Sequence, residues 1–94
     1  MSYKLRFHEL ALIEWKKLDG SIRTPLKKKL AERLENPRVA SAALSGMPDC
    51  YKIKLRGIGY RLVYRVEAEI LFVTVIAVGR RDKNQVYFAA QDRV

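Results

Sequence analysis

The residues of this sequence that can do chemistry are cations set at alternating positions. From Asp49 to Val78, and on through Gly79-Arg80-Arg81, the chain reads DCYKIKLRGIGYRLVYRVEAEILFVTVIAVGRR. In the first run Lys52, Lys54 and Arg56 share one side, while Tyr51, Ile53 and Leu55 take the other. In the second, Arg61, Val63 and Arg65 oppose Tyr60, Leu62, Tyr64 and Val66. Alternation of this kind marks half-buried strands, and Gly57-Ile58-Gly59 between them supplies a hairpin turn. The cations share a face only if paired residue numbers sum to an odd value. A two-residue turn at Gly57-Ile58 meets this condition and sets Lys54 opposite Arg61, and a four-residue turn sets Arg56 opposite Arg61. Either way Lys52, Lys54, Arg56, Arg61 and Arg65 lie together. Like charges across a ladder cost from a few tenths to about 1 kcal/mol per pair, so a polyanion is the expected occupant. Arg80 and Arg81 leave the third strand at the same rim, and Tyr87 lies one or two helical turns beyond.

Lys, Arg and Tyr in this arrangement bind phosphodiesters and stack on bases, and they can cleave RNA without a metal. That reaction uses the 2′-OH as internal nucleophile. It needs a base, neutralisation of the phosphate charge, and an acid for the departing 5′-oxygen. Arginine forks two donors onto a phosphate. Lysine serves as base only when neighbouring cations lower its pKa, the situation expected for Lys52 and Lys54. Other chemistries lack their residues. His8 is the single histidine, placed at a strand–helix junction, and reads as structural or exposed. Cys50 is the single cysteine, read as inert, which excludes an internal disulfide and suits a reducing cytosol. The carboxylates show no metal-ligand spacing, and there is no P-loop, dinucleotide fingerprint or serine elbow. No metal or cofactor is expected.

The 94 residues are expected to form one domain, 1–94. A net charge of +9 and a pI near 10.0 point to nucleic acid or an acidic surface as partner. The N-terminus shows no signal peptide, and the longest apolar run, Ile70 to Val78, is too short to span a bilayer, so no membrane partner is expected. Tyr3–Phe7 reads as a first strand with Tyr3, Leu5 and Phe7 inward. Ala11, Trp15 and Leu18 mark a first helix, which Asp19-Gly20 ends. Ile22, Leu26, Leu30 and Leu34 form the stripe of a second helix, with Pro25 in its first turn and Thr24 as cap if it starts late. Arg38–Pro48 reads as a loop or a loose turn of helix. The strand Ile70–Val78 has almost no polar side and must be covered on both faces. Asn84 can cap a last short helix whose apolar face, Val86, Ala89 and Ala90, is thin, so that helix is marginal and easily displaced. The fold is therefore α+β, in the order β-α-α-β-β-β-α. A largely antiparallel four-stranded sheet packs on a helical hairpin, with an open basic face opposite.

The segments GMPDCYKIKLR, GYRLVY and VGRRDKNQVY closely resemble the RelE family of bacterial toxins, within the RelE/ParE superfamily. With EWKKL and LKKKLAERLENPR added, the resemblance spans essentially the whole chain without gaps. It implies a ribosome-dependent messenger RNA interferase of a type II toxin–antitoxin pair, cutting the A-site codon by 2′-OH attack. It also implies a RelB-type antitoxin that displaces the C-terminal helix, the complex repressing its own operon. Operator DNA is then met only through that complex. By position, Lys52 and Lys54 would activate the 2′-OH or hold developing charge, and Arg61 would grip the scissile phosphate. Arg81 would stabilise the transition state or protonate the leaving oxygen, and Tyr87 would stack on the target base and assist proton transfer. Arg56, Arg65, Arg80 and Lys83 would bind RNA. Ser45 stands where a close family member has arginine in the loop before Gly46, a position implied to contact ribosomal RNA. Arg80 and Lys83 interchange lysine and arginine relative to that member.

Two other functions fit parts of the pattern. One is a gyrase-poisoning toxin resembling the ParE inhibitors, which share the helix hairpin and sheet but lack this Lys/Arg/Tyr set. The other is a basic nucleic-acid-binding module without catalysis, whose binding would fall steeply with salt.

Overall fold

Both alternating runs are strands, and they pair in the register that sets Lys54 against Arg61. The computed structural model describes residues 2–94, apart from the side chains of Arg56 and Lys83. In chain order the elements are β1 (Lys4–Phe7), α1 (Glu9–Lys16), α2 (Gly20–Glu35), β2 (Cys50–Leu55), β3 (Tyr60–Glu67), β4 (Phe72–Arg80) and α3 (Gln85–Arg93). Short 3₁₀ turns lie at Ala40–Ala42, Arg56–Ile58 and Asp82–Asn84. The sheet runs β1-β4-β3-β2. β2–β3 and β3–β4 are antiparallel, while β1 joins β4 in parallel, so the sheet is mixed.

The turn between β2 and β3 closes when the Gly59 amide donates to the Leu55 carbonyl at 3.0 Å. Gly59 has φ +69, the left-handed region open to glycine at little cost. Asp19-Gly20 differs from expectation: rather than ending α1, the pair starts α2. The Asp19 carboxylate accepts from the Ser21 amide at 3.1 Å, an N-cap bond that an aspartate before a glycine makes as readily as a stop. That early start moves Pro25 out of the first turn and removes Thr24 as cap. Lacking an N–H, Pro25 leaves the Ser21 carbonyl without its helical donor. His8 caps α1, its Nδ1 accepting from the Leu10 amide at 3.1 Å.

Leu26 and Leu30 of α2 and Ala11 of α1 pack on Ile53, Leu62, Tyr64, Val66, Val73, Val75 and Val78 as the main core. The Tyr64 hydroxyl donates to the Pro37 carbonyl at 2.6 Å and accepts from Arg33 Nη1 at 2.9 Å. Both polar valences of a fully buried ring are thereby satisfied. Leu5 faces the hairpin as expected, beside Val73, but it is not fully covered. It is 38% exposed, because β1 is an edge strand and the helices leave an apolar groove of about 680 Å³ between it, Trp15 and Leu34.

The face opposite the hairpin is less open than the sequence suggests. Val86 and Ala90 of α3, with Met47 from the preceding loop, bury Cys50, Val63, Ile76 and Ala77 in a second, smaller core. A β-bulge makes this possible. Val63 pairs with Ala77 but Tyr64 pairs with Val75, so Ile76 is the extra residue. Two successive side chains, Ile76 and Ala77, then face α3, while Val75 and Val78 on either side face the hairpin. Asn84 precedes α3 in the left-handed conformation (φ 60), and its side chain makes no capping bond.

At the far end of the sheet Glu67 accepts from Thr74 Oγ1 at 2.5 Å and Arg6 Nη2 at 2.6 Å, linking β3 to β1 across β4. The Thr74 hydroxyl first, and Arg6 second, hold the Glu67 carboxyl below its ordinary value of 4.5. A lowered folded-state pKa adds stability that is present above the unfolded value and lost as pH falls through the folded one. Urea midpoints of the wild type should therefore fall more between pH 7 and about pH 3 than those of Glu67→Gln. Equal falls would show that this network carries no acid sensitivity.

Candidate active site

Three strands present one row of the site. Arg61 of β3 stands between Lys54 of β2 and Gly79 of β4, its direct partners in register. The row spans about 10 Å, two interstrand spacings. Lys52 occupies the next row, opposite Val63 and in line with Ala77. The bulge at Ile76 decides which C-terminal arginine joins them. Without it Arg80 would share the face of Lys54; with it Gly79 does, and Arg81 follows two residues on, just past the strand. The Arg80 guanidinium instead lies 5.6 Å over the Tyr60 ring, which packs on the hairpin-side core. The Arg81 amide donates to the Gly59 carbonyl at 2.9 Å, so the exit of β4 is tied to the β2–β3 turn.

Arg61 is the unusual member of the row. Its residue surface is only 8% exposed. Nη1 donates to its own Tyr60 carbonyl at 3.0 Å, and buried Nε finds no partner among the described residues. An unpaired guanidinium donor in the interior is costly. Beside it, a side chain built on Gly79 would meet nothing within 4 Å. Arg61 and Lys54 thus flank an open position at Gly79, an arrangement whose charge suits an anion.

Tyr87, on the first turn of α3, packs half-buried against the Val63–Ile76–Ala77 cluster. Lys52, Lys54 and Arg61 thus share one sheet face, Arg81 follows at the exit of β4, and Tyr87 lines a depression with Leu44, Ser45 and Met47 on the same side. Arg65 does not join them. It lies about 13 Å along β3 from Arg61, beyond the part covered by α3, in a depression with Arg38, Asp49 and Glu67. The side chains of Arg56 and Lys83 lie outside the described residues. Around the outer edge of β2 the cations continue: Lys29, Arg33, Lys52 and Lys54, with Ser41 among them, line a cleft of about 400 Å³. Arg33 is held there by a 3.1 Å bond to the Lys52 carbonyl as well as by Tyr64. Arg33, Gly79, Glu14 and Arg93 were not found from sequence, where nothing in their local pattern links them to the cations.

Cys50 is buried and its thiol is pushed up by that burial, so it is a poor nucleophile. Among the described residues no group of three or more His, Cys, Asp and Glu is placed to hold a metal ion. No helix among them is long and apolar enough to cross a membrane.

The chain belongs to the RelE/ParE superfamily: residues 5–85 match the family described as the ParE toxin of the type II toxin–antitoxin system parDE. Within it the chain is 55% identical, over 94 residues, to the mRNA interferase toxin RelE of Escherichia coli K12, covering 100% of this chain and 99% of that protein. A double arginine-to-alanine variant of the E. coli toxin RelE in its free state superposes with a TM-score of 0.93 at 54% identity, covering 100% and 99% of the two chains. A chain of the intact E. coli RelBE toxin–antitoxin complex superposes with a TM-score of 0.83 at 58% identity, covering 84% of this chain and 96% of that one.

Proposed function

We propose that the protein is the toxin of a type II toxin–antitoxin pair and an endoribonuclease that cuts messenger RNA in the ribosomal A site. The observation that carries this reading is the row that sets Arg61 between Lys54 and the open position at Gly79. That is the requirement of a scissile phosphate. Lys52 or Lys54 takes the proton of the 2′-OH, whose oxygen then attacks phosphorus. Arg61 neutralises the charge that builds on the phosphoryl oxygens. The P–O5′ bond breaks, Arg81 stabilises or protonates the departing oxygen, and Tyr87 stacks on the base and assists the proton. The products are a 2′,3′-cyclic phosphate and a 5′-hydroxyl. Without histidine or carboxylate in the row, the site depends on the ribosome to hold the RNA in near-attack geometry. The protein then works in the cytoplasm, bound and silenced by a RelB-type antitoxin that displaces α3, the complex repressing its own operon. The RelBE complex similar to this chain supports that partner.

A defined messenger RNA, free and in a programmed ribosome with an empty A site, tests the reading. Cleavage is expected only on the ribosome, within the A-site codon, unaffected by chelator, with cyclic-phosphate ends. Arg81→Ala should lose about 10²-fold or more. Cutting of free RNA, or a chelator-sensitive cut, would overturn this mechanism. The family match to ParE also supports a gyrase-poisoning alternative, for which inhibition of supercoiling without RNA cleavage is the signature.

A further inference from the structure

Where β1 ends, the outer edge of β4 is left without a strand, and a single ion pair takes its place. β1 pairs with β4 only as far as Val75. Just beyond, the Val78 amide donates to Glu14 Oε1 of α1 at 3.1 Å, and the Ile76 carbonyl accepts from Arg93 Nη1 of α3 at 3.0 Å. Arg93 also forks onto Glu14, with Nη1 to Oε1 at 2.8 Å and Nη2 to Oε2 at 2.9 Å. The Arg93 side chain is 13% exposed and that of Glu14 32%, so this is not a loose surface pair.

The two backbone groups it holds are the carbonyl of the bulged residue itself and the amide two residues beyond it. Ile76 is the extra residue, and its bulge puts Gly79, and so Arg81 two residues later, on the cation face. The same arginine closes the last turn of α3, a helix of nine residues whose first turn carries Tyr87. Such a helix is too short to hold its place by local propensity. We propose that Glu14 and Arg93 are positioning residues: their ion pair clamps the β4 bulge and α3 together, setting Arg81 and Tyr87 against Lys54 and Arg61 at once. Polarity matters as much as charge, because the Val78 amide needs an acceptor and the Ile76 carbonyl needs a donor. The proposal rests on the cleavage reading above for its kinetic consequence, though not for its structural one.

The test uses the full chain with Arg93→Ala, Arg93→Lys and the exchange Glu14→Arg with Arg93→Glu, on programmed ribosomes and by amide hydrogen exchange. Arg93→Ala is expected to lower kcat by about tenfold to a hundredfold. KM should stay unchanged, since no cation of the binding face is altered. The Val78 and Ala90 amides should exchange faster. Arg93→Lys keeps a charged donor and should recover most of kcat; the exchanged pair restores attraction with the wrong polarity and should not. Wild-type kcat in Arg93→Ala, full recovery by the exchanged pair, or unchanged Val78 exchange would each overturn the clamp. A wild type that does not cleave would fail the functional reading alone, leaving the clamp to be judged by the exchange of Val78 and Ala90.

Discussion

Arg61→Met is expected to lower cleavage on programmed ribosomes by about 10²–10³-fold while leaving the urea midpoint unchanged or higher. The first half follows from the place of Arg61 in the row: it is the cation flanked on both sides, with Lys54 opposite and open space at Gly79. Loss of one preorganised donor at a developing charge costs about that factor. The second half follows from burial. Arg61 is 8% exposed, and its Nε finds no partner among the described residues. A buried unsatisfied donor costs about 1–3 kcal/mol, and replacing a buried charge by an apolar side chain of similar length is often neutral or stabilising. Like-charge strain against Lys54 is relieved as well. An activity loss coupled to retained or increased stability is the mark of a residue kept for chemistry. A midpoint that falls with activity would make Arg61 a structural residue. Arg61→Lys, which keeps the charge but not the fork, should fall between.

The cation row and its register were legible because one face of β2 and β3 is polar, and a polar face fixes parity. Lys54 opposite Arg61 was one of only two arrangements the sequence allowed. β4 offers no such guide. Phe72–Val78 is apolar on both sides but for Thr74, so a slip of one residue at Ile76 leaves no trace in the pattern. That slip separates Arg81 from Arg80, two residues sequence reading placed at the same rim. The Asp19-Gly20 pair was misread for a related reason: an N-cap aspartate and a helix-stopping glycine look alike until the backbone is seen. What α3 packs against was hidden because its apolar face was counted alone. Its packing partners, Met47, Cys50 and Val63, came from segments read as loop, inert thiol and cationic strand. Glu14 and Arg93 are 79 residues apart, beyond any local signal.

Deletion of residues 85–94 tests whether the C-terminal helix belongs to the site or to the scaffold. The expected result is a folded protein with cleavage reduced by about 10²-fold or more. The hairpin-side core, from Ala11 and Leu26 to Val75 and Val78, takes nothing from α3. Loss of α3 uncovers Val63, Ile76 and Ala77 and removes the burial of Val86 and Ala90, a cost of roughly 3–5 kcal/mol. That is no more than the lower end of the 5–15 kcal/mol typical of a whole domain. The truncated chain should therefore melt lower, bind a hydrophobic dye at the uncovered sheet face, and keep its sheet. Tyr87→Phe separates the tyrosine from its helix. It retains the ring against the Val63 cluster, so the midpoint should hold, while loss of the hydroxyl should lower cleavage by about 10-fold to 10²-fold. A truncated chain that cleaves normally would remove Tyr87 from the mechanism and leave Lys52, Lys54, Arg61 and Arg81 to carry it. A Tyr87→Phe variant at wild-type rate, beside an inactive truncation, would instead confine the tyrosine to stacking.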